Sequence, residues 1–202
     1  MAFPSTTTVL DDFNRASIGT NWSVVGGPGL DTIGSTQLYW GGAASGDRWT
    51  ANQFGPDLHF YITIASVATG ELTFEFFHDL TFSSSGYIVD YDSGIPALTI
   101  SKRTTGSNAS LATTGSVTWA AGDKFGIGIE GNVITVYKFS GGSWAQVLQA
   151  TDSSSPFTGV QRWFDMFLWA ANWRLDDMVL ANVTAPSTSV PPLLLMSPRI
   201  SI

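Results

Sequence analysis

The stretch KFGIGIEGNVITVYKFSGGSWAQVLQ, residues Lys124–Gln149, decides the fold class. Large apolar residues alternate with polar or small ones on both sides of Gly131–Asn132, and a second break falls at Gly141–Gly142. A period of two is typical of a strand with one buried face, and a short Gly-Asn turn joins neighbouring strands into a hairpin. The sequence therefore predicts a hairpin over Phe125–Phe139 and a further strand after Gly141–Gly142.

The same alternation recurs along the chain. It appears in LHFYITIAS (58–66), ELTFEFF (71–77), YIVDY (87–91) and ALTISKR (97–103), and it places Glu71, Thr73 and Glu75 on a solvent-facing side. A helix competes with a strand as the predicted structure in the stretch VQRWFDMFLWAAN (160–172), and the nearby pattern favours the strand. Turn-forming clusters come about every ten residues. About a dozen strands at this spacing predict a single antiparallel sandwich of two sheets.

Charge and composition exclude several functions. The chain of 202 residues has a net charge of −7, nine scattered Lys and Arg, and no cysteine. Without a basic stripe we expect neither a nucleic-acid partner nor an anionic membrane surface, and without cysteine there is no disulfide. The N-terminal stretch MAFPSTTTVLDDF lacks the basic and apolar regions of a secretory signal peptide. Apolar runs are far shorter than the roughly 20 residues of a membrane-spanning helix, so no membrane insertion is expected.

Three stretches carry a family resemblance. They are LDDFNRASIGTNWSVVGG (10–27), the region from Gly122 to Ser154 that contains the hairpin, and WRLDDMVLANV (173–183). Together they resemble bacterial and phage domains of the concanavalin A-like lectin/glucanase class, including LamG-like domains. The resemblance covers about Val9 to Val183 and implies an all-β, two-sheet antiparallel jelly-roll sandwich. We assign residues 1–184 to this domain. Such domains occur as lectins, carbohydrate-binding modules, glycoside hydrolases and phage virion proteins, so the fold does not choose the function.

The glutamates do not form a recognisable catalytic pair. Glycosidases on this fold use a Glu-x-Asp-x-x-Glu strand motif, whereas the three glutamates here are Glu71, Glu75 and Glu130. Glu71 and Glu75 would lie roughly 13 Å apart along one strand, which is wider than the roughly 5–9.5 Å of paired glycosidase carboxylates. The two histidines are isolated in the sequence. We therefore expect a protein that is not an enzyme.

The tryptophans suggest a carbohydrate site. Eight are present, and although buried Trp commonly fills a sandwich core, an exposed Trp or Tyr ring can stack on a sugar. Tyr39, Trp40 and Trp49 flank the small-residue stretch GGAASGD, and Arg48 beside them could donate hydrogen bonds to sugar hydroxyls. These four residues are the predicted carbohydrate-binding site.

Leu-Asp-Asp occurs twice, at residues 10–12 and 175–177. Alternation turns one carboxylate of each pair toward the apolar side, where it must be hydrogen-bonded, ion-paired or metal-bound. Because the first and last strands of this fold class commonly lie side by side, the two units are expected to form a seam, with Arg15 and Arg174 close enough to pair with them. The alternative is a structural Ca²⁺ held by Asp12 and Asp177, which the resemblance implies for Asp177. No other cofactor is expected; Asp90 and Asp92 in DYDSG could also supply oxygens to Ca²⁺.

The character of the chain changes after Val183. Residues 185–202 are rich in Pro and apolar residues and predict an extended arm that docks on another copy or subunit. The residues expected to make that contact are Pro191, Pro192, Leu193, Leu194, Leu195, Met196, Ile200 and Ile202. With no catalytic motif, this arm favours a structural protein of a bacteriophage-like virion, assembled in the host cytoplasm, either as a capsid decoration or as a tail or fibre component. The alternative is a carbohydrate-binding module or receptor-binding adhesin.

Overall fold

The structure is a computed structural model, and it describes residues 3–33, 36–39, 44–78, 85–154, 156–157, 162–169 and 172–183. Within these ranges no helix is long and apolar enough to cross a membrane. The predicted arm over residues 185–202 and the candidate residue Trp40 lie outside the described residues.

In the described part of the chain, fourteen strands form two sheets. In chain order they are β1 (Trp22–Gly26), β2 (Asp31–Ile33), β3 (Gln37–Tyr39), β4 (Ser45–Phe54), β5 (Leu58–Ser66), β6 (Glu71–His78), β7 (Ser85–Asp92), β8 (Ala97–Thr104), β9 (Ser107–Gly115), β10 (Lys124–Glu130), β11 (Val133–Ser140), β12 (Ser143–Thr151), β13 (Arg162–Leu168) and β14 (Arg174–Asn182). The first sheet has the order β1-β4-β13-β6-β7-β8-β9, and the second has the order β12-β11-β10-β5-β14-β3-β2. This arrangement confirms the predicted two-sheet antiparallel sandwich.

The predicted hairpin that decides the fold class is present. Lys124 pairs with Phe139 and Glu130 with Val133 across β10 and β11, and β12 continues the sheet from Ser143. Gly131 and Gly141 have φ values of 61°, a left-handed conformation that costs glycine little. The strand predicted over VQRWFDMFLWAAN is also present, as β13.

An aromatic cluster joins the two sheets at their inner faces. Phe60 on β5 of the second sheet lies 4.8 Å from Phe74 and 5.0 Å from Phe164, measured between ring centroids, and both partners belong to the first sheet. Each of these rings is almost completely buried. Tilted aromatic contacts contribute about 0.5–1.5 kcal/mol beyond the burial of their area, so this cluster is a main cohesive contact of the sandwich.

The outer face of β6 differs from the sequence prediction. Thr73 and Glu75 do point away from the core, yet each is only 3% exposed. Thr73 donates to Asp90 on β7, and Glu75 is ion-paired with Arg103 on β8. Glu71, the third predicted residue, is exposed as expected. Thr73 and Glu75 are instead covered by side chains of neighbouring strands, whose identity the alternation within β6 cannot indicate.

The seam predicted between the chain ends is present. The amide of Met178 donates to the Asp11 carbonyl at 2.8 Å, and the Leu10 amide donates to the Met178 carbonyl at 2.7 Å. The Asp11 carboxylate accepts hydrogen bonds from both terminal nitrogens of Arg15 at 2.6 and 2.7 Å. It also accepts one from the Trp22 indole at 2.8 Å. Polar closure through Asp11 and Arg15 is thus confirmed.

The late Leu-Asp-Asp unit does not alternate as predicted. Asp177 has a φ of 47°, and the pairing of β14 with β5 shifts register between Asp176 and Val179. A bulge of this kind inserts an extra residue and changes the face on which later side chains lie. Leu175 and Met178 are consequently both fully buried, although strict alternation would separate them.

Candidate functional site

A groove of about 340 Å³ lies on the outer face of the first sheet. Four of the residues that line it are carboxylates and one is a tryptophan. The lining residues are Glu71, Thr73, Glu75, Ile88, Asp90, Asp92, Ile95, Ala97, Thr99, Arg103, Asn108 and Trp169. We refer to this set as the acidic groove.

Strand register brings the carboxylates together. Glu71 is opposite Asp92, and Thr73 is opposite Asp90, across β6 and β7. Residues directly opposite in an antiparallel pair lie on the same face, so both acidic residues of β7 lie beside those of β6. On the far side of β7, Asp90 faces Thr99 of β8. Several polar side chains from three strands therefore line one short stretch of the sheet.

Asp90 is the most perturbed acid of the groove. Burial of its carboxyl raises its pKa to about 6, and the negative charges of Glu71 and Glu75 act in the same direction. The hydroxyl of Thr73, which donates to Asp90 Oδ1 at 2.7 Å, opposes the rise. A carboxyl that changes its charge near neutral pH at the floor of a groove is a feature of functional sites.

The charged face also contains two ion pairs, Arg48–Asp165 and Glu75–Arg103. Arg48 on β4 contacts Asp165 on β13 in a bidentate pair, with nitrogen–oxygen distances of 2.7 and 2.8 Å. Asp165 is directly opposite Glu75 in the register of β13 and β6, and Glu75 in turn contacts Arg103 at 3.2 Å. Because desolvation offsets most of the attraction in buried ion pairs, stability alone does not explain why this face is charged.

Two exposed apolar side chains also line the groove. The Trp169 side chain is 46% exposed, it stacks on Phe167 with ring centroids 5.9 Å apart, and its indole nitrogen donates to Thr73 at 3.0 Å. Its ring is therefore held in place while part of its surface faces solvent. Ile95, which is 70% exposed, is the other exposed large apolar side chain of the lining.

The structure does not bring together Tyr39, Arg48 and Trp49, the described residues of the predicted carbohydrate-binding site. Arg48 and Trp49 are consecutive on β4, so their side chains point to opposite faces of the sheet. Trp49 is 3% exposed and packs edge-on against Trp22 in the core, 5.3 Å between centroids. It therefore lacks the exposed ring that stacking on a sugar requires. Tyr39 is on β3 of the second sheet, and Trp40 lies outside the described residues.

The groove residues Asp90, Arg103 and Trp169 were not among the predicted carbohydrate-binding residues. The signal available in the sequence is the spacing by two of the polar residues in β6 and β7, Glu71-x-Thr73-x-Glu75 and Asp90-x-Asp92. That spacing places each set on one face of its strand. It does not indicate that the two strands are neighbours.

The seam also has a groove, which brings Asp12 and Asp177 to one place. Both line it together with Val9, Leu10, Asp11, Asn14, Arg15 and Asn21. Burial raises the pKa of nearby Asp176, and the charges of Asp177 and Asp12 add to the rise. Within the described ranges, however, no group of three or more Asp, Glu, His or Cys side chains is arranged to hold a metal ion, here or at Asp90 and Asp92. Calcium binding by Asp12 and Asp177 stays a prediction.

Comparison with known proteins supports the fold. Neither a protein-family model nor a curated protein sequence matches the chain. Among solved structures, the carbohydrate-binding module CBM66 from Bacillus subtilis has a TM-score of 0.62 at 21% identity, covering 83% of this chain and 99% of that one. The exoplasmic/lumenal domain of VIP36 in a Ca²⁺/Man2-bound form has a TM-score of 0.65 at 10% identity, covering 88% and 89%. A legume lectin-like domain from Entamoeba histolytica gives 0.52 at 10% identity, covering 81% and 91%. At these identities the likeness shows the fold alone, and it confirms the predicted concanavalin A-like jelly roll.

Proposed function

We propose that this protein is a carbohydrate-binding domain and that its ligand lies in the acidic groove on the outer face of the first sheet. The observation that carries the proposal is the arrangement of Trp169, whose partly exposed indole is fixed by Thr73 directly beside the carboxyl groups of β6 and β7.

The chemistry of a sugar fits this arrangement. A pyranose ring has a face of C–H groups that packs on an aromatic ring and a rim of hydroxyls that both donate and accept hydrogen bonds. The carboxylates of Glu71, Asp90 and Asp92 supply acceptors, and Arg103 supplies donors. Hydrogen bonds to charged groups are roughly twice as strong as those between neutral groups. The volume of about 340 Å³ is within the range of small-molecule sites, roughly 300–1,000 Å³.

Two structural relatives support the same class of ligand. CBM66 is by its name a carbohydrate-binding module, and the VIP36 domain has been seen with bound mannose and mannose oligosaccharides. These likenesses support a sugar as the ligand of the present chain without indicating which sugar.

A glycan array followed by calorimetry tests the proposal. We expect at least one glycan to bind, and we expect Trp169→Ala to abolish that binding, since the side chain supplies the stacking surface. Tyr39→Ala is the competing variant, because it removes an aromatic ring of the sequence-predicted platform on the other sheet. Loss of binding in Tyr39→Ala together with normal binding in Trp169→Ala would move the site away from the groove and overturn the proposal.

A virion role, and location in a virion, stay predictions of the sequence. They depend on the arm over residues 185–202, outside the described residues, and they are compatible with glycan binding. Deleting residues 186–202 should abolish assembly with partner subunits and leave glycan binding intact. The expected lack of enzymatic activity is also a prediction, and it is checked by incubating the bound glycan with the protein and looking for cleavage products.

A further inference from the structure

The charge of the acidic groove points to the kind of sugar that it accepts. We propose that the groove selects sugars that bear a protonated amino group over their neutral and anionic counterparts, with Asp90 as the specificity-determining residue. This inference rests on the proposed function and names its ligand class.

The groove has an excess of negative charge. Its lining contains the carboxylates of Glu71, Glu75, Asp90 and Asp92, whereas Arg103 is the one cation among the described lining residues. The Arg103 guanidinium is already paired with Glu75, at nitrogen–oxygen distances of 3.2 and 3.3 Å. The charge of Arg103 also acts on Asp90, where it opposes the rise in pKa. Four carboxyl groups thus share one described cation, and the lining keeps an excess of negative charge. Such a surface repels a sugar carboxylate and attracts an ammonium group.

Asp90 links the preference for amino sugars to the protonation state of its own carboxyl group. Burial and the neighbouring charges of Glu71 and Glu75 raise its pKa to about 6, so near neutral pH part of the free protein carries a proton on this carboxyl. An ammonium group placed beside Asp90 would favour the ionised carboxylate. Binding of an amino sugar should therefore release that proton, and binding should weaken as the pH falls below the pKa of Asp90.

The arrangement of the carboxylates suits an organic cation rather than a metal ion. No three acidic side chains of the described chain converge on one point as metal ligands do. An ammonium group has three separate N–H donors, and it can contact carboxylates that are spread along a groove. The exposed ring of Trp169 is a second, independent feature, because a tryptophan face attracts a cation as well as the C–H groups of a sugar.

A matched series of methyl glycosides tests the inference. Glucosamine, glucose and glucuronic acid share one ring and differ in charge, and the galacto and manno series are run in the same way. The calorimetric titrations are performed at a pH slightly above the pKa of Asp90. Since a charge-assisted hydrogen bond is involved, we expect the amino sugar to bind about tenfold more tightly than its neutral counterpart, and the acidic sugar to bind least.

Two variants assign the preference to Asp90. Asp90→Asn should reduce the advantage of the amino sugar to about twofold or less and should remove the proton release, which is measured by titration in two buffers of different ionisation enthalpy. Glu130→Gln removes the same charge from the second sheet, and it should leave both the preference and the proton release unchanged.

The outcomes separate the inference from the function on which it rests. Equal affinity for amino and neutral sugars, or a preference that survives in Asp90→Asn, would overturn the inference and leave a carbohydrate-binding domain. Tighter binding of the acidic sugar would also overturn it. If no glycan binds on the array or in solution, the proposed function itself fails.

Discussion

The amide of Ser5 donates a hydrogen bond to Nδ1 of His59, at 2.9 Å, and so attaches the N-terminal segment to the outer face of the second sheet. The other ring nitrogen of His59 lies 3.0 Å from Glu130 Oε1. Beside it, the ring of Phe3 stacks on Tyr137, with centroids 4.1 Å apart. Because Nδ1 accepts a hydrogen bond from the Ser5 amide, this contact requires a neutral imidazole that carries its proton on Nε2.

The first prediction concerns the pH dependence of that contact. Burial lowers the pKa of His59, although Glu130 opposes the effect. A lowered pKa in the folded state means that its contribution to stability is complete above the unfolded value of about 6.5. The contribution is lost as the pH falls through the folded value. We expect the protection factor of the Ser5 amide, which is its exchange rate corrected for the intrinsic effect of pH, to fall on acidification.

His59→Gln is the matched variant, since its side-chain oxygen can accept the Ser5 hydrogen bond without titrating. In this variant the protection of the Ser5 amide should be independent of pH. The same acid-induced loss of protection in His59→Gln would assign the effect to another group.

The second prediction concerns the stability of Asp90→Asn. The pKa of Asp90 is raised to about 6, so the native state favours the protonated carboxyl, and stability is lost as the pH rises through that value. A shift of this size corresponds to at most about 3 kcal/mol. We expect Asp90→Asn to raise the free energy of unfolding by about 2 kcal/mol at pH 8 and to change it little at pH 4.

Urea denaturation at the two pH values checks this expectation. A lower stability of Asp90→Asn at pH 8 would show that the ionised carboxylate is well solvated or well paired. If Asp90 is a functional residue, Asp90→Asn should be more stable than the wild type and should bind sugar more weakly. Functional sites commonly sacrifice stability for activity.

The sequence could predict the features that depend on neighbouring residues. Alternation and the Gly131–Asn132 turn are local, and they specify the hairpin of β10 and β11 without knowledge of the rest of the chain. The acidic groove depends instead on register between distant strands. Trp169 and Thr73 are 96 residues apart in sequence, and Arg48 and Asp165 are 117 apart.

The same reasoning explains why Arg48 and Trp49 do not contribute to one platform. The two residues are adjacent in the sequence, and this adjacency favours a single site. Alternation along β4 sends Arg48 to Asp165 on the outer face and Trp49 to Trp22 in the core. Which face of β4 is buried follows from its packing against the second sheet, and turn chemistry alone does not indicate it.

The third prediction concerns the seam. The Asp11 carboxylate accepts hydrogen bonds from Arg15, the Trp22 indole and the Phe13 amide. Asp11→Ala would leave the buried Trp22 donor unpaired, and we expect it to lower the free energy of unfolding by about 2–4 kcal/mol. Asp12→Ala is the matched control, since this neighbouring carboxylate is exposed and should change stability little. Equal losses in the two variants would contradict the role assigned to Asp11.

The fourth prediction tests the calcium alternative at the same seam. Because Asp11 and Arg15 already satisfy the buried charge, we expect the melting temperature to be the same in Ca²⁺ and in chelator. Stabilisation by Ca²⁺ that disappears in Asp177→Asn would establish the calcium site instead. Mg²⁺ at the same concentration is the control for a general effect of divalent cations, since it is bound less readily by flexible oxygen sites.

The fifth prediction addresses why the outer face of the first sheet is charged at all. Arg48 and Asp165 are both buried in their bidentate pair, so removing one partner takes the bidentate contact away from a buried charge. We expect Arg48→Met or Asp165→Leu alone to destabilise the fold by about 3–5 kcal/mol, and the double variant to recover most of that loss. Chemical denaturation of the wild type, the two single variants and the double variant gives the coupling free energy between the two residues.

The double variant should nevertheless bind glycan more weakly, because Asp165 lies directly opposite Glu75 at the acidic groove. Full stability combined with full binding in the double variant would mean that the pair serves neither purpose.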